Sequence, residues 1–218
     1  MTASKPILYG VSLSPFVRKV RVVLAMKSIA YELVPVMPGA IDPDFRAKSP
    51  LSKIPVWEDG DVTIPDSSVI AAYLDRLHPE PALYPADPVA FARVLFWEEY
   101  ADTRLVDSAG PPFFQRIVNA KVFKQPADEG IVRRHVEEVL PPVQDQLEKL
   151  FVAGGVARPE GMTIADIAVW TSFVNLAHAG IRVDSSRWPG LAGFLSEMNA
   201  NPILARLLEE ERASLESL

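Results

Sequence analysis

Two serines and a proline near the start of the chain lie where the sequence predicts the N-terminus of a helix, a place where an anion could bind. Ser14 directly precedes Pro15, and Ser12 lies two positions earlier. Serine is a favoured N-cap, and proline fits the first helical position because its φ is already helical. The free N–H groups and positive dipole of such a helix end attract negative charge. If the anion is a thiolate, a donating hydroxyl lowers the thiol pKa; otherwise Ser14 only caps the helix.

The thiol for such chemistry is not supplied by the protein, because the sequence contains no cysteine. This excludes disulfides, thiolate metal sites and a protein sulfur nucleophile. The histidines His78, His135 and His178 stand alone and not at ligand spacing, so we expect no metal site. Any thiol must therefore come from a bound small molecule.

Two further motifs could hold a short peptide. Ile54 precedes Pro55, which favours an extended backbone whose N–H and C=O can pair with a peptide. Asp66 and Ser67 combine an acceptor for an ammonium group with a hydroxyl and helix N–H groups for a carboxylate, or they only cap a helix. Lys53 can meet a second carboxylate or remain solvated.

A fourth motif favours a structural role. The spacing of Thr163 and Asp166 is that of a capping box, in which each side chain bonds the backbone of the other. We expect Asp166 to stabilise a helix and not to bind the ligand.

The first part of the chain alternates between strand and helix patterns. Apolar strand-like runs begin at Ile7, Tyr31, Ile54 and Val62, and Asp59-Gly60-Asp61 is a hairpin turn sequence. Helical spacing follows Pro15 and Asp66, and a short irregular or helical piece covers 42–47. In the first helix, charged residues are expected on the face away from the apolar one: Arg18, Lys19, Arg21 and Lys27. The pattern predicts βαβ followed by ββα.

The second part lacks a strand signal. Prolines 79, 81, 85 and 88 indicate a linker, which we place at 81–87 between a first domain, 1–80, and an all-helical domain, 88–218. Pro141-Pro142 should kink the second of its helices or begin a new turn. The predicted helices are Val89–Ala109, Asp128–Val152, Ile164–Ala179, Leu191–Ala200 and Ile203–Ser214. The fold class is therefore α/β plus all-α.

Charge and hydropathy exclude some partners. The formal net charge of −6 over 218 residues argues against nucleic acid, because no basic surplus neutralises phosphates. Apolar runs stay below the ~20 residues of a membrane span, and the polar start does not look like a signal peptide. We expect no membrane partner and a cytoplasmic location.

Four motifs, in order along the chain, carry a family resemblance. Together they resemble the soluble, cytosolic-type glutathione S-transferases, in particular serine-type, bacterial-like members, which join a thioredoxin-like domain to an all-α domain. The motifs are Ser14-Pro15-Phe16-Val17-Arg18, Ser52-Lys53-Ile54-Pro55-Val56, Pro65-Asp66-Ser67-Ser68 and Thr163-Ile164-Ala165-Asp166.

The resemblance implies a detoxifying enzyme that conjugates the glutathione thiolate to an electrophilic, largely apolar small molecule. It implies that Ser14 is catalytic, with Ser12 in reserve, and that Lys53, Ile54, cis Pro55, Asp66 and Ser67 bind glutathione. Phe16 is a candidate for the substrate pocket, and the resemblance also implies a homodimer. A glutathione-dependent isomerase and a non-catalytic binding or regulatory protein of this fold remain alternatives, because a fold does not fix a function.

Overall fold

The computed structural model describes residues 5–37, 43–156 and 161–216. The chain divides into two compact units, Met1–Tyr84 (unit 1) and Pro85–Leu218 (unit 2). The linker predicted at 81–87 straddles this division. The predicted first residue of the short piece, Asp42, lies outside the described residues.

Unit 1 is built on a mixed sheet whose described strands are ordered β2-β1-β3-β4. The pair β1/β2 is parallel, as expected when a helix connects the two strands, whereas β1/β3 and β3/β4 are antiparallel. The turn at Gly60, where φ is +58°, joins β3 to β4. The strands are β1 Ile7–Tyr9, β2 Glu32–Val34, β3 Val56–Asp59 and β4 Val62–Pro65.

Three helices complete unit 1: α1 Pro15–Met26, α2 Pro43–Lys48 and α3 Ser67–Leu77. Helices α1 and α3 pack on each other. Val20, Leu24 and Ile70 are fully buried with Leu8 of β1, which explains the apolar positions in these segments. The predicted βαβ-ββα order and thioredoxin-like fold are confirmed.

The prediction that the charged residues of α1 lie on an outward face is wrong. Arg18 and Lys19 are fully buried, and Arg21 and Lys27 are 4% and 8% exposed. Burial of a charge is tolerated only where polar partners replace water. The charged groups of these side chains therefore need polar partners in place of water.

Lys27 shows how this is done. Its Nζ lies 2.8 Å from a carboxylate oxygen of Asp75 and donates to the carbonyls of His78 at 2.6 Å and Pro81 at 3.0 Å. Asp75 in turn accepts from the N–H of Leu83 at 3.0 Å. The ammonium thus fixes the chain where it leaves α3.

Unit 2 is helical throughout its regular elements in the described residues. Some consecutive helices join through π-helical segments and not through loops. The α-helices are α4 Pro88–Tyr100, α5 Val106–Phe113, α6 Glu129–Arg134, α7 Leu140–Val152, α8 Ile164–His178, α9 Pro189–Ala200 and α10 Pro202–Glu216. The π-helical segments are Ala101–Leu105, Phe114–Val122 and His135–Val139.

The first predicted helix of unit 2 does not end at Ala109. The helical path runs on past Pro111 and Pro112 to Val122. Proline lacks an N–H, so Pro112 leaves the carbonyl of Ser108 without its usual helical donor. That carbonyl accepts from Nδ1 of His135 at 2.9 Å. A side chain distant in sequence therefore supplies the donor that Pro112 lacks.

The core of unit 2 forms around α8, in which Ile167, Trp170 and Phe173 are buried. A helix that is apolar on nearly all sides belongs inside a domain. No helix in the described ranges is long and apolar enough to cross a membrane.

Candidate functional site

The loop between β1 and α1 presents Ser14 at the start of a helix. Ser14 is the N-cap of α1, its Oγ accepting from the N–H of Val17 at 3.4 Å, and Pro15 occupies the first turn. The N–H of Ser14 donates to the carbonyl of Val11 at 3.0 Å, which closes the loop. Because the oxygen acts as acceptor for the helix, the hydroxyl proton can still be donated to a ligand. Ser12 lies in the same loop, and both serines are half-buried.

Gly10 brings this loop against the segment that contains Ile54. Its φ is +146°, and a Cβ built on it would lie 2.5 Å from Cγ2 of Val17 and 3.4 Å from Cβ of Ile54. Only glycine permits both this conformation and this approach. The start of α1 and the loop before β3 are therefore neighbours.

The segment 53–55 has the features of a peptide-binding edge. Lys53 is exposed, Ile54 is half-buried, Pro55 is buried, and the Ile54–Pro55 bond is cis, as the resemblance implied. Within the described residues, neither the N–H nor the C=O of Ile54 has a hydrogen-bond partner. These groups can pair with an extended ligand, as an exposed sheet edge does.

Asp66 and Ser67 stand at the start of α3, next to the same segment. Asp66 is the N-cap: its Oδ1 accepts from the N–H groups of Ser68 at 2.9 Å and Val69 at 3.2 Å. Its own N–H donates to the carbonyl of Pro55 at 3.3 Å, and its φ is +79°. Ser67 is only 3% exposed, and its hydroxyl has no hydrogen-bond partner among the described residues. An unpartnered hydroxyl on a buried residue at a helix start is a candidate ligand contact.

Lys19 is a residue near this site that sequence reasoning missed. From α1 its Nζ donates to Oγ of Ser68 at 2.9 Å, although the side chain is fully buried. A buried ammonium beside the start of α3 adds positive charge where a carboxylate could bind. Apolar spacing assigned Lys19 to the outside, and the sequence contained no signal for its partner 49 residues away.

Helix α2, which precedes the segment 53–55 in the chain, is fixed to the sheet. The Lys48 ammonium donates to the hydroxyl of Tyr9 at 2.9 Å and forms an ion pair with Glu58. The hydrogen bonds to Glu58 and Tyr9 raise the pKa of Lys48 above its ordinary value. The Tyr9 ring also meets the buried Phe45 edge-on, at a centroid distance of 6.2 Å. These contacts give Tyr9 a structural role.

Three segments of unit 1 thus meet: 10–14, 53–55 and 66–68, which we call the unit 1 site. They offer a hydroxyl at one helix start, an unpaired peptide edge, a carboxylate beside a second helix start and an exposed ammonium. Such a set suits a short peptide with a thiolate in its middle, an ammonium and carboxylate at one end and a carboxylate at the other.

Phe16 lies on the first turn of α1, just past Ser14, and is half-buried. Its role in a substrate pocket stays a prediction.

Thr163 and Asp166 form the predicted capping box at α8: the N–H and hydroxyl of Thr163 donate to Oδ2 of Asp166 at 2.8 and 2.9 Å. In the described part of the chain, no group of three or more His, Asp or Glu residues could hold a metal ion.

Comparisons with known proteins agree on one family. Residues 8–82 match the family described as "Glutathione S-transferase, N-terminal domain". Glutathione S-transferase 3 of Zea mays is 33% identical over 164 residues, which are 73% of this chain and 72% of the maize protein. Maleylacetoacetate isomerase of Mus musculus is 28% identical over 207 residues, 92% of this chain and 90% of the mouse protein. The crystal structure of a glutathione transferase homolog from Drosophila mojavensis with bound glutathione superposes with a TM-score of 0.76 at 25% identity, covering 98% of this chain and 97% of that one.

Proposed function

Because the chain belongs to the glutathione S-transferase family, we propose that glutathione binds in the unit 1 site and that Ser14 activates its thiol. Family membership makes the protein a glutathione transferase. The residues that carry the activity, and the serine-type, bacterial-like assignment, are our proposal. The observation that supports it most is the meeting of the three segments around complementary polar groups.

The proposed binding mode places each charged group of glutathione against a complementary charged or hydrogen-bonding group. Asp66 accepts from the ammonium of the γ-glutamyl end, and the hydroxyl and N–H of Ser67, at the start of α3, bind its carboxylate. The N–H and C=O of Ile54, held before cis Pro55, pair with the cysteinyl backbone. Lys53 meets the glycine carboxylate.

The chemistry proposed for Ser14 follows from its position as N-cap. The hydroxyl donates to the sulfur, and the positive end of α1 favours the thiolate over the thiol. Each unit of pKa depression below ~8.5 gives close to ten times more thiolate at neutral pH until ionisation is mostly complete. The thiolate then forms a sulfur–carbon bond with an electrophilic second substrate, which either releases a leaving group or takes up a proton.

A glutathione-dependent isomerase is the second candidate, and the mouse maleylacetoacetate isomerase favours it because it matches nearly the whole chain. In that case the thiolate adds to an unsaturated acid, a bond rotates, and the thiolate leaves unchanged. The same Ser14 serves both reactions. Incubation with maleylacetoacetate and glutathione distinguishes them, because an isomerase consumes no glutathione.

A homodimer and a cytoplasmic location complete the proposal. Helix α4 exposes large apolar side chains, which favours a covered surface: Val89, Phe91, Leu95 and Phe96. Phe96→Glu is expected to reduce the mass measured by light scattering from two chains to one. Glutathione is a main thiol of the reducing cytosol, which favours that compartment; cell fractionation tests it.

The experiment that tests the activation mechanism is a titration of glutathione into wild type, Ser14→Ala and Ser12→Ala, with thiolate absorbance recorded across pH. We expect wild type and Ser12→Ala to show a lowered thiol pKa, and Ser14→Ala to show the pKa of free glutathione.

Other outcomes contradict the proposal in distinct ways. A lowered pKa that only Ser12→Ala abolishes moves the catalytic role to Ser12. Binding without a shift in any variant makes the site a peptide clamp without activation. Absence of binding favours the non-catalytic alternative.

A further inference from the structure

A single serine holds the loop that carries Lys53. Ser49 follows the last residue of α2 and is 1% exposed. Its Oγ donates to the carbonyl of Lys53 at 2.7 Å and accepts from the N–H of Lys53 at 3.0 Å. One hydroxyl therefore satisfies both backbone groups of a residue four positions ahead.

The backbone of Ser49 closes the same loop from the other side. Its N–H donates to the carbonyl of Phe45 at 2.9 Å, and its carbonyl accepts from the N–H of Ser52 at 2.8 Å. Ser52 has a φ of +54°, which turns the chain sharply before Lys53. All polar groups of Ser49 thus link α2 to the start of the peptide-binding edge.

The neighbouring residue makes this anchor rigid. Lys48 ties the end of α2 to Tyr9 and Glu58 on the sheet. The position of Ser49 is therefore set by the sheet, and Ser49 transmits it to the backbone of Lys53. Short hydrogen-bonded loops of this kind lose little further conformational entropy when a ligand binds.

The side chain of Lys53 is left for a ligand. It is exposed, and within the described residues its ammonium has neither an ion pair nor a hydrogen-bond partner. Because the backbone of Lys53 is held, the Cα atom from which its long side chain extends has one fixed position. Without the Ser49 hydroxyl, the N–H and C=O of Lys53 lose their partner, and this Cα atom can move.

We propose that Ser49 is a positioning residue for the glycine end of glutathione, acting through Lys53; the inference rests on the proposed function. It predicts a defect confined to one end of the ligand. Removal of the hydroxyl weakens the contact with the glycine carboxylate and leaves the γ-glutamyl end and the thiol unaffected.

The test measures binding of two ligands by calorimetry: glutathione, and its glycyl ethyl ester, in which this carboxylate is neutral. The variants are Ser49→Ala, Lys53→Gln, their combination, and Leu51→Ala, which changes a 73% exposed residue of the same loop as the matched control. Melting temperatures report stability separately.

We expect Ser49→Ala to weaken glutathione binding about fivefold, the scale of a partly exposed charge contact. The ester should bind Ser49→Ala as it binds wild type, and Ser49→Ala should add no further loss in the Lys53→Gln background. Leu51→Ala should bind both ligands like wild type.

Equal losses for glutathione and the ester, or a loss that persists in Lys53→Gln, would overturn the inference in favour of general damage to the fold. If Ser49→Ala does not fold, Ser49→Cys replaces it: its thiol is a weaker donor and acceptor than the hydroxyl, so this variant should show the same loss confined to glutathione, and equal losses for the two ligands contradict the inference. If wild type binds the ester as tightly as it binds glutathione, the inference is refuted but the proposed function is not. Wild type that binds neither ligand refutes the proposed function and the inference with it.

Discussion

The start of α3 allows the cap and the ligand contact of one carboxylate to be separated. Asp66 bonds the N–H groups of Ser68 and Val69 through a single oxygen, Oδ1. Asparagine offers the same oxygen and is also enriched at positive φ, but it carries no charge. Asp66→Asn therefore keeps the cap and removes the partner proposed for the ammonium, whereas Asp66→Ala removes both.

The two variants should differ in size of effect as well as in kind. Loss of both cap bonds in Asp66→Ala should lower the free energy of unfolding by about 1 kcal/mol. Asp66→Asn should cost only about 0.5 kcal/mol, the lost interaction of a charge with the helix dipole. Both should weaken glutathione binding by about 1.4 kcal/mol, or tenfold, because a charge-assisted hydrogen bond becomes a neutral one or disappears.

Urea unfolding and calorimetry on the same preparations check these values, with N-acetylglutathione as the control ligand because its amino group is uncharged. Asp66→Asn should bind this ligand as wild type does. The reasoning is refuted if Asp66→Asn binds glutathione as tightly as wild type, or if it loses the same affinity for the acetylated form.

Three further substitutions test how unit 1 and α8 are held. Gly10→Ala places a Cβ 2.5 Å from a neighbouring methyl at a φ of +146° and should cost about 2 kcal/mol in urea unfolding while weakening glutathione binding; unchanged stability contradicts the close approach. Lys27→Met leaves Asp75 without its cation and should cost about 3 kcal/mol in the same assay, with a loss below about 0.5 kcal/mol speaking against the ion pair. Asp166→Ala should lower the melting temperature through loss of about 1 kcal/mol or more of capping and keep glutathione affinity in the folded protein, whereas a normal melting temperature without binding assigns Asp166 to the site.

Local signals were sufficient for the helix starts that form the site. Ser14-Pro15 and Asp66-Ser67 cap their own helices, so each motif is determined by residues within three positions and can be recognised in the sequence. The same holds for the capping box at Thr163. The βαβ-ββα succession of strands and helices followed from local strand, helix and turn signals in the same way.

Partners distant in sequence account for what could not be predicted. Lys19 and Lys27 were wrongly predicted to face solvent, because their partners, Ser68 and Asp75, lie 49 and 48 residues further along the chain. Apolar periodicity records which face is buried but not which charges are neutralised there. The proposed role of Ser49 could not be predicted for a different reason, since it depends on the exact path of the chain from Ser49 to Lys53.

The helix that passes Pro112 also determines the protonation form of a histidine. The carbonyl of Ser108 can only accept, so Nδ1 of His135 must carry the proton in the contact at 2.9 Å. The neutral ring is therefore the Nδ1–H tautomer, and its lone pair lies on Nε2. Protonation adds a hydrogen at Nε2 and leaves the bond to Ser108 intact, so acid does not remove the donor that replaces the missing N–H of proline. Nitrogen chemical shifts of the His135 ring would show this tautomer directly.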